Sequence, residues 1–226
     1  MSATQEALEV LARAPQLALY VKRLQAVLAD EARKRQEFYA ALSEQEKAEF
    51  INGEIVYQSP VKLRHSRASE ALFTLISTYV ELHDRGYVGH EKLLVSLTRN
   101  DYEPDICFFG RAKADQFTAD QMHFPAPDLV VEVLSPSTET LDRGVKFADY
   151  AAHGVVEYWL VDAEAGVIEQ YRLSDDEYQL AIKSDSGVLR SSAIPGFEIP
   201  VNAVFDRRIY RKILGEIVAP AAGDAR

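Results

Sequence analysis

Residues 3–49 have the residue usage and apolar spacing of amphipathic helices. Alanine, leucine, glutamate, lysine and arginine dominate this stretch, and Pro15 divides it in two. Apolar residues recur at three- and four-residue intervals, which is the spacing of one helix face. They are Leu17, Val21, Leu24, Val27 and Leu28. The pattern predicts a helical stretch whose apolar stripe packs against the rest of the domain or against a second copy of the chain.

The chain then changes to short strand-like runs around one long helical period. Asn52-Gly53 is a turn signal, and a strand is predicted directly after it over Glu54–Gln58. Apolar residues at helical spacing predict a helix from about Arg64 to Asp84, which ends before Gly86. The run Tyr87–Leu97 then predicts a single strand.

The second half of the chain predicts further strands and one more helix. Strands are expected over Glu103–Phe109 and Asp128–Leu134, with residues 110–127 as a polar connection. The remaining predicted elements are a helix from about Thr140 to His153, a buried strand over Val155–Val161, a hairpin of Val167–Leu173 with Tyr178–Lys183, and disorder after Val218. This order predicts a mixed α/β sheet flanked by helices, with an N-terminal helical extension.

Composition narrows the class of protein. The chain has 226 residues, of which 47% are hydrophobic, so it can form one globular domain with a full core. No apolar run is long enough to span a bilayer, and the N-terminus lacks the order of a signal peptide, so no membrane partner is expected. The single cysteine, Cys107, excludes an internal disulfide and a zinc site built from cysteines. The expected location is the cytoplasm.

The net charge of −10 argues against a nucleic-acid partner, because phosphate binding depends on clustered lysine and arginine. Two features reduce that objection. Carboxylates that bind metal contribute to the negative total, and a local basic cluster lies at Lys62, Arg64, His65 and Arg67.

Two acidic residues lie inside apolar strands. Because side chains alternate along a strand, Asp105 shares a face with Cys107, and Glu132 shares a face with Val130. If the two strands are neighbours, the carboxylates meet over one edge of the sheet. Magnesium or manganese would relieve their repulsion, activate a water molecule and stabilise charge on a phosphorus centre. The alternatives are a turn role for Asp105 and a strand-edge charge at Glu132.

Lys146 on the following predicted helix could complete a site that cuts phosphodiesters. Asp142 lies four residues before it, so an ordinary surface ion pair explains the lysine equally well. The residues alone leave both interpretations open.

These motifs together resemble the PD-(D/E)XK nuclease superfamily and, within it, the Uma-two (Uma2) family of restriction-endonuclease-like proteins. The resemblance covers roughly residues 37–205. It is carried by Asn52-Gly53-Glu54-Ile55-Val56, Ser59-Pro60, His65, Pro104-Asp105, Glu132-Val133-Leu134-Ser135-Pro136-Ser137, Lys146 with Tyr150, Gly154-Val155 and Glu157-Tyr158-Trp159-Leu160-Val161-Asp162. It implies a restriction-endonuclease-like fold and metal ligation by Asp105, Glu132 and the Val133 carbonyl.

One position departs from the superfamily pattern. The lysine expected two residues after Glu132 is replaced by Leu134. The resemblance implies that Lys146 takes over its role of electrostatic stabilisation; otherwise the site is impaired.

The remaining candidates have weaker signals. His65 lies where the family often has a histidine, and it could contact phosphate or tune the metal, or simply be a polar residue at a helix start. Tyr150 is expected to pack along the stem of Lys146. Cys107 and Trp159 are expected in the core.

The sequence therefore predicts a metal-dependent endonuclease that hydrolyses DNA, acting as a homodimer because two strands suit a two-fold pair. The alternatives are a catalytically inactive interaction protein with the nuclease fold, and a metal-dependent phosphodiesterase acting on RNA or nucleotides. The predicted organisation is an N-terminal helical extension (1–36), a nuclease-like domain (37–210) and a C-terminal tail (211–226).

Overall fold

The computed structural model describes residues 3–42 and 47–219. Its helices are α1 (Ala3–Ala12), α2 (Leu17–Ala41), α3 (Leu63–Leu82), α4 (Arg111–Ala114), α5 (Glu139–Asp142), α6 (Val145–Ala152) and α7 (Arg207–Val218), with a 3₁₀ turn at Val201–Val204. Its strands are β1 (Ala48–Ile51), β2 (Glu54–Tyr57), β3 (Gly86–His90), β4 (Leu94–Ser96), β5 (Asp101–Tyr102), β6 (Ile106–Gly110), β7 (His123–Phe124), β8 (Leu129–Val133), β9 (Glu157–Asp162), β10 (Val167–Ser174), β11 (Glu177–Ser184), β12 (Val188–Arg190) and β13 (Glu198–Pro200).

A mixed central sheet organises the chain. Its strand order is β11-β10-β9-β8-β6-β3, and every neighbouring pair is antiparallel except β8 and β9. The parallel pair is connected through α5 and α6. Because β8 is a central strand, its side chains are buried on both faces. The predicted mixed sheet flanked by helices is confirmed. Strand β6, which directly follows Asp105, pairs with β8, which carries Glu132, so the condition for the two carboxylates to meet is fulfilled.

Helices cover both faces of this sheet. On one face, Leu72 and Ile76 of α3 pack against Val131 and Trp159, and the apolar side of α7 completes the layer. On the other face, Tyr150 of α6 joins a cluster that includes residues of β6, β8 and β9. The alternation of side chains along β8 therefore sends Val131 and Val133 to one core layer and Val130 to the other.

A second sheet has the order β2-β1-β5-β4-β7. The prediction of a helical stretch up to residue 49 is wrong at its end, because β1 pairs with β2 across the Asn52-Gly53 turn. Both turn residues have positive φ, 51° at Asn52 and 83° at Gly53, which is the conformation that a tight hairpin requires. Tertiary pairing overrides the helical propensity of Ala48 and Glu49 here.

Three other predicted elements are interrupted. The run Tyr87–Leu97 is not one strand: it divides at Glu91, and its two halves join different sheets. The helix predicted from Thr140 divides at Gly144, where an added Cβ would lie 2.7 Å from the Thr140 carbonyl oxygen. The polar connection at 110–127 contains α4 and β7.

The C-terminal half of α2 is bound to the body of the protein. The Arg35 guanidinium donates to both carboxylate oxygens of Asp101, Glu31 accepts from Arg99, and Phe38 is buried. The predicted stripe in the N-terminal half is exposed, with Val21 at 43% and Leu24 at 58%. Within the described chain, the stripe therefore does not pack against the domain.

Two helices cross the predicted boundaries. Helix α2 runs through residue 36, and α7 runs through residue 210 and packs Ile213 and Ile217 on the core. The division into three segments stays a prediction, and residues 220–226, part of the tail predicted to be disordered, lie outside the described residues.

In the part of the chain that is described, no helix combines the length and apolarity that crossing a bilayer requires.

Candidate active site

Asp105 and Glu132 lie side by side on neighbouring strands. Asp105 directly precedes β6, and the antiparallel register of Ile106 with Val131 brings it beside Glu132 on β8. The Asp105 amide points to Glu132 Oε2 at 3.4 Å, and the Val133 amide donates to Asp105 Oδ2 at 2.8 Å. The structure thus brings together three residues that the sequence predicted for the metal site.

Two cationic or titratable side chains approach Asp105. Lys47 Nζ lies 3.0 Å from Oδ1, and His65 Nε2 lies 3.4 Å from Oδ2. Burial alone would raise the pKa of Asp105, but His65 and Lys47 outweigh it and hold that pKa below its ordinary value. Asp105 is therefore a buried carboxylate that stays ionised.

Lys146 is enclosed by carboxylates. Its Nζ lies 2.9 Å from Glu49, 3.2 Å from Glu132 and 3.2 Å from Asp142. Its side chain is 1% exposed and lies over the ring of Tyr102. The Asp142 pair exists at the predicted spacing, but the interpretation of an ordinary surface ion pair is wrong, because the whole cluster is inside the protein.

This enclosure shifts the titration of both partners. Burial would lower the pKa of Lys146, but Glu132, Glu49 and Asp142 raise it well above its ordinary value, so the lysine stays charged. Burial raises the pKa of Glu132 well above its ordinary value, and Lys146 opposes that rise while Asp142 and Asp105 add to it. A further cation beside Glu132 would lower its raised pKa and stabilise its ionised form.

Sequence reasoning missed Lys47 and Glu49. Glu49 lies on β1, is buried, and accepts a hydrogen bond from the Glu103 amide as well as pairing with Lys146. Both residues were assigned to the N-terminal helical stretch. A signal was present: a hairpin turn at Asn52-Gly53 requires a strand before it as well as after it.

The donor set suits a hard divalent cation. Four carboxyl groups (Glu49, Asp105, Glu132 and Asp142) lie around two ammonium groups, and burial raises the pKa of Glu132 and of Asp142. Among the described residues, Glu49 Oε2 is buried without a hydrogen-bond partner. Oxygen donors are the ligands that magnesium and manganese prefer. The described residues contain no group of three or more His, Cys, Asp or Glu side chains arranged as a complete metal site. The fit is thus to a cation held by two carboxylates, with water or substrate oxygens as its other ligands.

A cleft leads to Asp105. It has a volume of about 380 Å³ and lies between the β2–α3 connection and the site. It is lined by Lys47, Tyr57, Gln58, Ser59, Pro60, Val61, His65, Glu91 and Asp105. A larger cavity of about 670 Å³, which includes Leu93, Phe117 and Phe124, lies elsewhere and contains neither site carboxylate. The smaller cleft adjoins a pocket of about 10 Å³ that shares His65 and Asp105 with it and is also lined by Glu132 and Lys146.

The other predicted residues are placed as follows. His65 is buried in the first turn of α3, and its Nδ1 has no hydrogen-bond partner among residues 3–42 and 47–219. Tyr150 is buried on α6 beside the ring of Tyr102, which is the ring that Lys146 overlies. Cys107 and Trp159 are in the core as predicted, and burial raises the pKa of the Cys107 thiol.

A sequence model described as "Uma2: Putative restriction endonuclease" matches residues 35–202, most of the chain and all of the site. The chain belongs to the Uma2 family.

Two relatives from Synechocystis sp. are described as uncharacterized proteins. The uncharacterized protein slr1290 is 34% identical over 139 residues, covering 59% of this chain and 70% of the relative. The uncharacterized protein sll1609 is 31% identical over 140 residues, covering 60% and 77%.

A solved structure is similar to this Uma2 protein in fold. It is described as a putative nuclease belonging to DUF820 from Anabaena variabilis. The TM-score is 0.66 at 18% identity, and the match covers 79% of this chain and 97% of that one. At this identity, the comparison supports the fold and leaves chemistry to the residues of the site.

Proposed function

We propose that this Uma2 protein is a magnesium- or manganese-dependent endonuclease that hydrolyses phosphodiester bonds of DNA. The observation that carries the proposal is the adjacency of two buried carboxylates, Asp105 and Glu132, at the end of a cleft, with Lys47, His65 and Lys146 around them. Membership of a family described as restriction endonucleases agrees with this chemistry.

Asp105 and Glu132, with the Val133 carbonyl, would hold the metal. When bound, the metal would activate a water molecule and stabilise negative charge on the phosphate. Hydrolysis forms a bond between the water oxygen and phosphorus and breaks the bond to the leaving oxygen, which ends protonated. Lys146 orients Glu132 and opposes the rise in its pKa, and His65 with Lys47 keeps Asp105 ionised.

DNA as the substrate is supported by the position of the basic cluster. Lys62, Arg64 and Arg67 are exposed at the start of α3, beside the cleft residues Val61 and His65. These side chains can attract a phosphate backbone locally even though the whole chain is acidic.

A homodimer is part of the proposal. The exposed stripe of α2 has the alternating three- and four-residue spacing of a helix-packing seam over Leu17, Val21, Leu24 and Leu28. Exposed apolar patches of this kind mark interaction surfaces. A second copy is the occupant that also supplies a second active site for the other DNA strand.

The test is cleavage of supercoiled plasmid and single-stranded DNA with manganese, magnesium or chelator. Glu132→Gln and Asp105→Asn keep the side-chain shape and remove the charge, so both are expected to abolish metal-dependent cutting. Glu198→Gln, at an exposed surface pair with Arg190, is the matched control and should cut normally. Cutting that survives in both site variants, or that persists with chelator, would refute the proposal.

One observation favours a second candidate, a non-catalytic interaction protein. Leu134 replaces the motif lysine, and the structure encloses Lys146 among carboxylates rather than exposing it. This candidate predicts wild-type protein that binds manganese in calorimetry but cuts neither DNA, RNA nor a nucleotide diester. Cutting of RNA or the diester alone would instead indicate the metal-dependent phosphodiesterase.

A further inference from the structure

Two lysines approach the paired carboxylates from different directions. Lys47, directly before β1, places Nζ 3.0 Å from Asp105, and its side chain is 18% exposed at the cleft. Lys146, on α6, places Nζ 3.2 Å from Glu132, and its side chain is 1% exposed. The two ammonium groups therefore differ in what they can reach.

Lys146 is enclosed by carboxylates and is not in the lining of the 380 Å³ cleft. Carboxylate oxygens of Glu49, Glu132 and Asp142 lie within 3.2 Å of its ammonium group. Contact with a phosphate would require breaking one of these buried pairs. This geometry is that of a positioning residue, which fixes the side chain of Glu132.

Lys47 has the opposite arrangement. Among the described residues, its ammonium makes one ion pair, with Asp105 Oδ1, and faces the cleft shared with Tyr57 and His65. Its ammonium group can therefore meet an oxygen that enters the cleft. A cation held by Asp105 would repel this ammonium group and weaken its pair with Asp105.

We propose that Lys47, rather than Lys146, is the lysine that contacts the substrate phosphate. Before the metal and the substrate are both bound, Lys47 competes with the metal for Asp105. This inference rests on the proposed nuclease function. Lys47 makes and breaks no bond in it: its charge stabilises the non-bridging phosphate oxygens as negative charge develops on them.

The first measurement is manganese affinity by calorimetry for wild type, Lys47→Met and Lys212→Met. Lys212 is an exposed lysine on α7, paired only with Glu216 among the described residues, and serves as the matched control. Removing the competing charge at Lys47 should tighten manganese binding on the order of tenfold, since a neighbouring charge of this kind shifts ionic equilibria by one unit or more. Lys212→Met should leave the affinity unchanged.

The second measurement is the affinity for a fluorescent DNA duplex in the presence of calcium. Calcium replaces magnesium so that DNA binding is measured without cleavage. Lys47→Met should weaken DNA binding at least fivefold, and Lys47→Arg should restore most of it, because a guanidinium also contacts phosphate. Plasmid cleavage by Lys47→Met should fall on the order of a hundredfold.

The two proposals fail in different ways. Tighter manganese binding together with weaker DNA binding in Lys47→Met supports the inference. Metal and DNA affinities within twofold of wild type would overturn it while leaving the nuclease intact if wild type still cuts. If wild type neither binds nor cuts DNA, the nuclease proposal fails and the phosphate role of Lys47 fails with it, whereas tighter manganese binding in Lys47→Met would still establish the competition at Asp105.

Discussion

The most direct test of the site's architecture is to remove the charge of Lys146 without removing its volume. Lys146→Met keeps an unbranched side chain of similar length inside the core but leaves Glu49, Glu132 and Asp142 without their shared cation. Because all three carboxylates are buried, water cannot replace the ammonium group. We expect a large loss of folding stability.

The magnitude follows from removing one partner of a buried ion pair while the other partners stay buried. Such a change typically costs about 3–5 kcal/mol, because it leaves uncompensated buried charge, and we expect Lys146→Met to fall in that range.

The assay is urea unfolding followed by circular dichroism at neutral pH, for wild type, Lys146→Met and the exposed control Lys212→Met. The control should change the free energy of unfolding by less than about 0.5 kcal/mol, as surface pairs do. A double variant, Glu49→Gln with Lys146→Met, should recover part of the loss because it removes one unpaired buried charge.

A loss below about 1 kcal/mol in Lys146→Met would refute this reasoning, since it would mean that the carboxylates are solvated or protonated without the lysine. Failure of the variant to fold would agree with the expected direction, and the double variant would then provide the measurable comparison. A double variant less stable than Lys146→Met would contradict the charge argument directly.

Three further outcomes are expected. Glu157→Gln should destabilise the fold by about 2–4 kcal/mol in thermal unfolding, because this buried carboxylate accepts hydrogen bonds from Ser191, Ser192 and the Ala193 amide. A loss of stability below about 1 kcal/mol would contradict that role. Arg143 lowers the pKa of Glu169 to about 2, below its unfolded value, so their pair stabilises the fold above about pH 4.5 and this contribution is lost as pH falls towards about 2. The stability difference between wild type and Arg143→Met should therefore shrink from pH 6 to pH 3, and a constant difference would exclude the linkage. Leu24→Glu should halve the solution mass measured by light scattering, because it places a charge in the apolar stripe of α2. The control Leu180→Glu, at a similarly exposed position on β11, should leave the mass unchanged. A monomeric wild type would contradict the proposed homodimer.

Local sequence signals were enough for much of the fold. The helical period predicted a helix from about Arg64 to Asp84, and α3 spans Leu63–Leu82. The Asn52-Gly53 turn and the strand after it are confirmed, because a tight turn is encoded by the two residues that form it. Alternation along the strands fixes which face Glu132 takes, whereas the pairing of β6 with β8 that brings Asp105 beside it is a property of the fold.

Pairing between distant segments could not be read in the same way. Strand β1 begins with Ala48 and Glu49, which favour helices, and their strand state comes from the pairing of β1 with β2 and β5. Lys47 reaches Asp105 across 58 residues of chain, so neither residue's neighbours in sequence indicate the contact.

The same limit applies to Lys146. Its sequence context offered Asp142 four residues away and nothing to distinguish a surface pair from a buried one. The burial of Lys146 depends on how α6 packs on the sheet and on its contact with Glu49, which is far away in sequence. The sequence by itself determined the period of α3, the Asn52-Gly53 turn and the candidates Asp105, Glu132 and Lys146, because residue type and local period are properties of the chain. Only the tertiary structure decided which lysine faces the cleft, because solvent exposure is set by packing between segments far apart in sequence.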